Sequence, residues 1–193
     1  MKKYIGLVLV AMSGCILTVN AQQSFSYKNP LLPTELRVND LLGRMTLEEK
    51  IAQIRHLHSW DVFDGQILNQ EKLDKMCGGI GYGFFEGFPL TAASCRKTFR
   101  EIQTYMVEKT RLGIPGFPVA ESLHGVVHEG TTIYPQNIAM GSTFNPELAY
   151  EKTKHIAGEL NTMGVKQVLA PCIDVVRDLR WGRVEESFGE DPF

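Results

Sequence analysis

The chain has 193 residues, of which 44% are hydrophobic and 22% are charged, and its formal net charge is -2 at pH 7. These values are ordinary for a globular protein, and the length suffices for one domain with a real core. A nearly neutral chain without a basic block gives no support for nucleic-acid binding, so we expect no nucleic-acid partner.

Residues 1–21 have the pattern of a secretory signal peptide. Lys2 and Lys3 precede an apolar run that extends to Val19, and small residues follow up to Ala21, where a signal peptidase would cleave. We therefore expect export to the periplasm or the medium. A membrane anchor is the disfavoured alternative, because the run is short and is interrupted by glycine and serine.

A second route of export is also open. The tetrapeptide MSGC, which ends at Cys15, resembles a bacterial lipoprotein box, although methionine fits its first position poorly and apolar residues continue past the cysteine. Simple cleavage after Ala21 is favoured over lipid anchoring at Cys15. No second long apolar run follows, so we expect no stable membrane span after signal removal.

Three cysteines follow the predicted signal: Cys77, Cys95 and Cys172. An odd number cannot pair completely within one chain, and their spacing matches no zinc pattern. The sequence therefore predicts that they are mostly buried small hydrophobic residues.

Residues 22–33 are polar and contain proline, which predicts a linker, and a helical pattern begins at Thr34. A second helix is predicted from Thr46, because its hydroxyl and the carboxylate of Glu49 can form a capping box. The buried stripe of this helix is expected to be Ile51, Ile54 and Leu57.

The middle of the chain alternates short strands with long helices. A glycine-rich stretch over 77–88 predicts a short strand, and it lacks the features of a phosphate-binding loop. Helices are predicted over 94–112 and 145–163, with Gly113 and Gly164 as their C-terminal caps. Strands are predicted over 117–120 and 165–170. The expected inward-facing residues of the two helices are Phe99, Ile102, Met106, Val107, Leu148, Ile156, Leu160 and Met163.

This alternation predicts an α/β fold with a parallel sheet. In such folds, ligands bind where strands end and loops begin. Two polar stretches occupy such places, one starting at Glu121 and the other over 180–191.

Glu121 directly follows a predicted strand, so it is either a ligand-binding carboxylate or an acid on a surface loop. If the stretch were helical, Glu121, His124 and His128 would share a face and could bind a metal ion, as in a metal-dependent barrel lyase or isomerase. Gly125 and two valines make a helix there improbable. His56 and His58 are expected at a solvated helix end.

The closing stretch, RWGRVEESFGEDP, combines two arginines with four carboxylates. Arg183 can donate two hydrogen bonds to neighbouring hydroxyls of a ligand, or it can form a structural ion pair with a nearby carboxylate. Both interpretations hold if the carboxylates fix the arginines. Spacing alone assigns no pair of catalytic carboxylates, and a serine-nucleophile motif is absent.

Four stretches in this order resemble the N-terminal barrel of glycoside hydrolase family 3, the β-glucosidase and β-xylosidase type. They are MTLEEKIAQI, RLGIPGFPVAESLHGV, TIYPQNIAMGSTFNPEL and PCIDVVRDLRWGRVEESFGEDPF, and the last of them is the most specific. The resemblance implies a (β/α)8 barrel of the TIM type, of which 34–193 is the first part. It also implies a retaining mechanism, no metal and no cofactor.

The resemblance also implies roles for individual residues. Glu121 and Arg183 correspond to residues that bind sugar hydroxyls. Glutamate rather than aspartate at position 121 is similar to the xylosidase-like branch and tilts the expected sugar slightly toward xylose. The supporting residues implied around them are His124, Arg180, Trp181, Glu186 and Asp191.

The family's nucleophile and acid/base have no counterpart in these residues, so we expect them beyond Phe193 and expect a barrel truncated there. The expected activity of the full protein is hydrolysis of terminal, non-reducing β-linked glucose or xylose from an oligosaccharide or β-glycoside. The 193-residue chain itself is expected to be inactive and marginally stable, since a half-closed sheet leaves an exposed strand edge. The alternative is a catalytically dead carbohydrate-binding remnant.

Overall fold

The computed structural model describes residues 26–86 and 91–192, and the chain divides into two compact units between Arg44 and Met45. The predicted signal peptide and the first four residues of the predicted linker lie outside the described residues. None of the helices in the described part combines the length and the apolar character needed to cross a bilayer.

In the first unit, a 3-10 turn, Ser26–Lys28, precedes helix α1, Thr34–Arg44, as the helical pattern from Thr34 predicts. The Asp40 carboxylate accepts a hydrogen bond from the Tyr27 amide at 3.0 Å. The Arg37 guanidinium donates to the Tyr27 carbonyl at 2.9 Å. These two contacts hold the turn against the helix.

The second unit consists of short strands separated by helices, and a 3-10 turn, Val184–Glu186, lies near its end. Its helices and strands, in chain order, are α2 (Leu47–Ala52), β1 (His56–His58), α3 (Ser59–Val62), β2 (Phe63–Asp64), β3 (Ile67–Leu68), α4 (Gln70–Cys77), β4 (Phe84–Glu86), α5 (Ala92–Lys109), β5 (Phe117–Ala120), α6 (Asn137–Gly141), α7 (Pro146–Met163) and β6 (Gln167–Val168).

The main sheet has the strand order β1-β4-β5-β6, and every neighbouring pair is parallel. Strands β2 and β3 form a separate antiparallel pair within the connection from β1 to β4. Parallel strands that follow chain order, with helices between them, are the arrangement of a (β/α) barrel. The predicted α/β fold is confirmed, and the described strands form part of a barrel that they do not close.

Local capping signals position α2 as predicted. The Thr46 hydroxyl accepts from the Glu49 amide, and the Glu49 carboxylate accepts from the Thr46 amide at 2.8 Å. The predicted buried stripe is only partly correct, however, because Leu57 is completely buried but the two isoleucines are not. Ile51 and Ile54 are 46% and 77% exposed, and Leu57 belongs to β1. The helix ends at Ala52, so the helical spacing does not extend to Ile54 and Leu57.

The two long predicted helices are confirmed as α5 and α7. The Asn145 side chain accepts from the Leu148 amide at 3.0 Å, and Gly164 ends α7 with a φ of 93°, a conformation that glycine adopts without strain. Gly113 is not the cap of α5, because the helix ends with Thr110 as its C-terminal cap.

The buried faces of α5 and α7 are mostly as expected, since Phe99, Ile102 and Met106 are buried, as are the three predicted residues from Ile156 to Met163. Val107 and Leu148 were wrongly placed inside, because they are 45% and 47% exposed.

Strand β6 is shorter and less buried than the sequence predicts. It covers two residues of the predicted strand over 165–170, and Val168 is 38% exposed. It stands last in the order of the described sheet, so a further strand does not cover its outer edge within the described residues.

The core lies on one face of the sheet. Leu57 and Phe85 are register partners on β1 and β4, and both are completely buried. Because side chains alternate along a strand, their neighbours in sequence point to the opposite face, which is the inside of a barrel. The three cysteines at positions 77, 95 and 172 are free and buried, as predicted. Burial raises the pKa of the Cys77 thiol to about 12 and that of the Cys95 thiol to about 11.

Candidate functional site

A cavity of about 360 Å³ lies at the carboxyl ends of β1, β4 and β5. Its polar lining comes from His58, Glu86, Glu121 and His128, and its apolar lining includes Trp60 and Val119. Parallel strands of a barrel present their functional side chains at this edge. The cavity therefore lies at the edge of the sheet where Glu121 follows β5.

Glu121 is the first residue after β5, and its side chain is exposed at the wall of the cavity. Strand β5 pairs with β4 on one side and β6 on the other, so the base of Glu121 is fixed by the sheet. A carboxylate in this position can accept hydrogen bonds from hydroxyl groups of a bound molecule.

Arg183 is exposed, lies directly before the 3-10 turn Val184–Glu186, and is held by Glu186 of that turn. Its Nε donates to Oε2 of Glu186 at 2.7 Å. This hydrogen bond raises the pKa of Arg183 above its ordinary value, and the negative charge of Glu121 contributes a smaller increase. Arg183 itself does not line the cavity.

The turn that carries Arg183 is fixed from below by two buried residues that the sequence analysis did not identify. The Asn137 side chain donates to the Glu186 carbonyl at 2.9 Å. The Lys152 ammonium donates to the Asn137 side-chain oxygen at 2.7 Å. Asn137 and Lys152 are 1% and 7% exposed, and polar side chains buried this deeply are hydrogen-bonded to other parts of the protein. Their burial is visible only in the folded structure, so the sequence alone could not have identified them.

Three of the remaining predicted supporting residues have hydrogen-bond partners of their own. His124 Nδ1 is 2.9 Å from the Tyr134 carbonyl, which makes it the donor there and an anchor of the loop after β5. Arg180 is paired with Asp178, and its side chain is 90% exposed. Trp181 is half-buried and donates its amide to the Asp178 carbonyl at 3.0 Å.

Asp191 lines a second groove, of about 840 Å³, together with Phe144 and Phe188. This groove lies beside α6 and the start of α7. The closing stretch thus contributes to two surfaces, one around Arg183 and the other around Asp191.

The metal-binding alternative at Glu121, His124 and His128 is not supported by the geometry. The loop from 121 to 136 has no helix, so these side chains do not share a helical face. Among the described residues, the group whose ligand atoms converge within 4.8 Å is a different one: His56, His58 and Glu86.

The placement of His56 and His58 at a solvated helix end is wrong. They lie on β1, with Glu86 on the neighbouring strand. The alternation of histidine, leucine and histidine is a strand pattern that could have indicated this, because alternate residues of a strand share a face. His58 and Glu86 are also cavity residues that the sequence analysis missed.

Comparison with known proteins identifies the family to which the chain belongs. The model of the "Glycosyl hydrolase family 3 N terminal domain" matches residues 46–193. The chain belongs to glycoside hydrolase family 3. This match confirms the resemblance seen in the four sequence stretches.

Individual family 3 relatives agree with this. The chain is 34% identical over 176 residues to a putative β-xylosidase of Formosa agariphila, covering 89% of the chain and 23% of that protein. It is 30% identical over 193 residues to the periplasmic β-glucosidase of Salmonella typhimurium, covering 99% of the chain and 23% of that protein. The solved structure of a β-glucosidase from Erythrobacter marinus superposes with a TM-score of 0.74 at 31% identity, covering 89% of this chain and 23% of that one. The chain thus spans about a quarter of the length of these relatives.

Proposed function

We propose that this chain forms one wall of the sugar-binding pocket of a retaining β-glycosidase. The observation that carries the proposal is the position of Glu121, which follows β5 and lines the cavity at the carboxyl edge of the sheet. Glu121 accepts hydrogen bonds from hydroxyls of the sugar at the cleaved bond. Arg183 donates to neighbouring hydroxyls of the same sugar.

The charges around these two residues suit a neutral, hydroxyl-rich ligand. Glu186 occupies the Nε side of Arg183 with a 2.7 Å hydrogen bond and fixes the direction of the guanidinium. The remaining N–H groups of the fork are then oriented donors, while Glu121 supplies acceptors. A sugar carries adjacent hydroxyls that both donate and accept, so it satisfies both residues at once.

The substrates of the complete protein are terminal, non-reducing β-D-glucosides or β-D-xylosides of oligosaccharides. The family relatives include both a β-xylosidase and a β-glucosidase, which supports this pair of sugars. We assign no nucleophile and no acid/base among the residues of this chain. The 193-residue chain alone is accordingly inactive.

The protein is exported. Its N-terminal pattern of two lysines, an apolar run and small residues up to Ala21 supports this, and one of its relatives is a periplasmic β-glucosidase. Cleavage after Ala21 is preferred to lipid attachment at Cys15.

The reaction is tested with the protein produced from its complete gene. Rates on aryl β-xyloside and aryl β-glucoside identify the sugar, and proton NMR of the first-formed product identifies its anomer. A retaining enzyme releases the β-anomer first, because the sugar passes through a covalent intermediate on the enzyme. Release of the α-anomer first, or hydrolysis of neither glycoside, contradicts the proposal.

A further inference from the structure

Two histidines and a glutamate meet on the inner face of the sheet. His56 and His58 are two residues apart on β1, so both point to the face opposite the buried Leu57. Glu86 is the register partner of His58 on β4 and shares that face. The pairing of the two strands therefore fixes the backbone positions of all three side chains.

The distances from the two imidazoles to the glutamate suit a small divalent ion. Nδ1 of His56 is 2.9 Å, and Nδ1 of His58 is 3.4 Å, from Oε1 of Glu86. Two ligands of a tetrahedral zinc ion with bonds of about 2.0–2.1 Å lie about 3.3 Å apart. The His58–Glu86 separation matches this spacing, and a small rotation of the carboxylate brings the His56 contact to it.

Nδ1 of His58 is a buried polar atom without a hydrogen-bond partner. Its 3.4 Å approach to Glu86 lacks hydrogen-bond geometry, and a buried polar atom left unsatisfied is destabilising. The imidazole is nevertheless held in place, because its ring stacks on Trp60 at 4.3 Å with an angle of 7° between the planes. The His56 ring packs against Phe84 at a centroid distance of 5.1 Å.

We infer that His56, His58 and Glu86 bind a zinc ion that joins β1 to β4. Two imidazoles and one carboxylate are ligands that suit zinc, whereas magnesium and calcium prefer sites made of oxygen. Three protein ligands leave a fourth position open. Because His58 and Glu86 line the 360 Å³ cavity, a water molecule can reach that position from the cavity. The site adjoins the cavity that Glu121 lines, and the proposed glycosidase reaction itself uses no metal.

The test is isothermal titration of zinc into the tag-free, chelator-treated chain, with magnesium in excess as a competitor. We expect one zinc per chain, and we expect zinc to raise the melting temperature because it binds the folded state. The variants His56→Ala and Glu86→Gln are each expected to weaken zinc binding by about 100-fold or more, since losing even an outer support costs about 10- to 100-fold. His155→Ala is the matched control, because His155 is exposed on α7. This variant should bind zinc with the same affinity as the original chain.

Cobalt gives a second measurement that separates this site from the cysteines. Cobalt bound by nitrogen and oxygen shows weak visible absorption without a thiolate charge-transfer band. A thiolate band that disappears in Cys172→Ser would place the ion at a cysteine and overturn the inference. So would zinc binding of normal affinity in both ligand variants, or no zinc binding by a chain whose circular dichroism shows it folded. If His56→Ala does not fold, Glu86→Gln decides, because the amide keeps the size of the carboxylate and removes its charge.

Discussion

The ammonium of Lys152 on α7 donates a hydrogen bond to the side-chain oxygen of Asn137 on α6, at 2.7 Å in the protein interior. The side-chain amide of Asn137 in turn donates a hydrogen bond to the Glu186 carbonyl at 2.9 Å. Burial lowers the pKa of Lys152, as expected for an ammonium removed from water. These contacts join two helices to the turn that carries Arg183.

Replacing Asn137 with alanine removes both of these hydrogen bonds and leaves a buried ammonium without its nearest acceptor. We expect Asn137→Ala to lower the free energy of unfolding by about 1–3 kcal/mol. Urea denaturation measures this. Asn161→Ala is the control, because Asn161 is exposed on α7, and it should change stability by about 0.5 kcal/mol or less. Equal effects of the two substitutions would contradict the role of Asn137.

A second polar connection joins the start of α2 to the residues after α5. Glu49 is 4% exposed, and its carboxylate accepts from Arg111 Nε at 2.7 Å and from a second nitrogen of the same guanidinium. The hydrogen bond from Arg111 lowers the pKa of Glu49 below its ordinary value of 4.5. We expect Glu49→Gln to cost about 1.5–3 kcal/mol of stability at pH 7.

The lowered pKa of Glu49 also fixes the direction of the pH dependence. The folded state holds the proton less tightly than the unfolded state, so the stabilisation is complete above pH 4.5 and is lost as the pH falls through the folded-state pKa. Unfolding curves at pH 7 and at pH 3 should therefore differ less for Glu49→Gln than for the original chain. The exposed Glu108→Gln is the control and should behave as the original chain does. A pH dependence of the original chain that Glu49→Gln leaves unchanged would refute the assignment.

Gly141 allows the closing stretch to approach α6. A β-carbon at this position would lie 2.0 Å from the carbonyl oxygen of Phe188, which is backbone and cannot rotate away. We expect Gly141→Ala to lower stability by about 1–3 kcal/mol, as overpacking does. Gly158→Ala is the matched control, since a β-carbon there meets nothing within 4 Å, and alanine in a helix should stabilise by up to about 1 kcal/mol. A melting temperature that moves equally in the two variants would contradict the contact.

Arg183 is expected to act on the substrate rather than on stability, because its side chain is 54% exposed. In the protein from the complete gene, Arg183→Ala should lower kcat/KM on an aryl β-glycoside by about 10-fold or more, through the loss of charge-assisted hydrogen bonds. Its melting temperature should stay close to that of the original protein. Arg100→Ala, on the exposed surface of α5, is the control and should leave both quantities unchanged. A large loss of stability with unchanged kcat/KM would instead make Arg183 a structural residue.

The sequence predicts those features of the fold that depend on residues close together in the chain. The side chains of Thr46 and Asn145 predict the starts of two helices, and in the structure both accept hydrogen bonds from backbone amides of the first turn. Glu121 was placed correctly at a strand end because the strand that precedes it is a short apolar run flanked by turn residues. Helix caps and strand ends of this kind can be predicted from neighbouring residues without knowledge of the fold.

What the sequence did not give depends on residues far apart in the chain. The contact of Asn137 with Glu186 spans 49 positions. The sequence places His56 and His58 at a helix end, because Ile51, Ile54 and Leu57 have helical spacing. Helix α2 in fact ends at Ala52. Their meeting with Glu86 follows from the pairing of β1 with β4, which no local pattern specifies.

Binding of the sugar hydroxyls by Glu121 is tested by kcat/KM of Glu121→Gln on an aryl β-glycoside, in the protein from the complete gene. The substitution keeps the size of the side chain and removes its charge, and Glu129→Gln, an exposed glutamate in the same loop, is the matched control. A hydrogen bond to a charged group is worth about 1.5–3 kcal/mol, so we expect kcat/KM to fall by about 10- to 150-fold for Glu121→Gln and to stay unchanged for Glu129→Gln. Equal kcat/KM for Glu121→Gln and the original protein would contradict it.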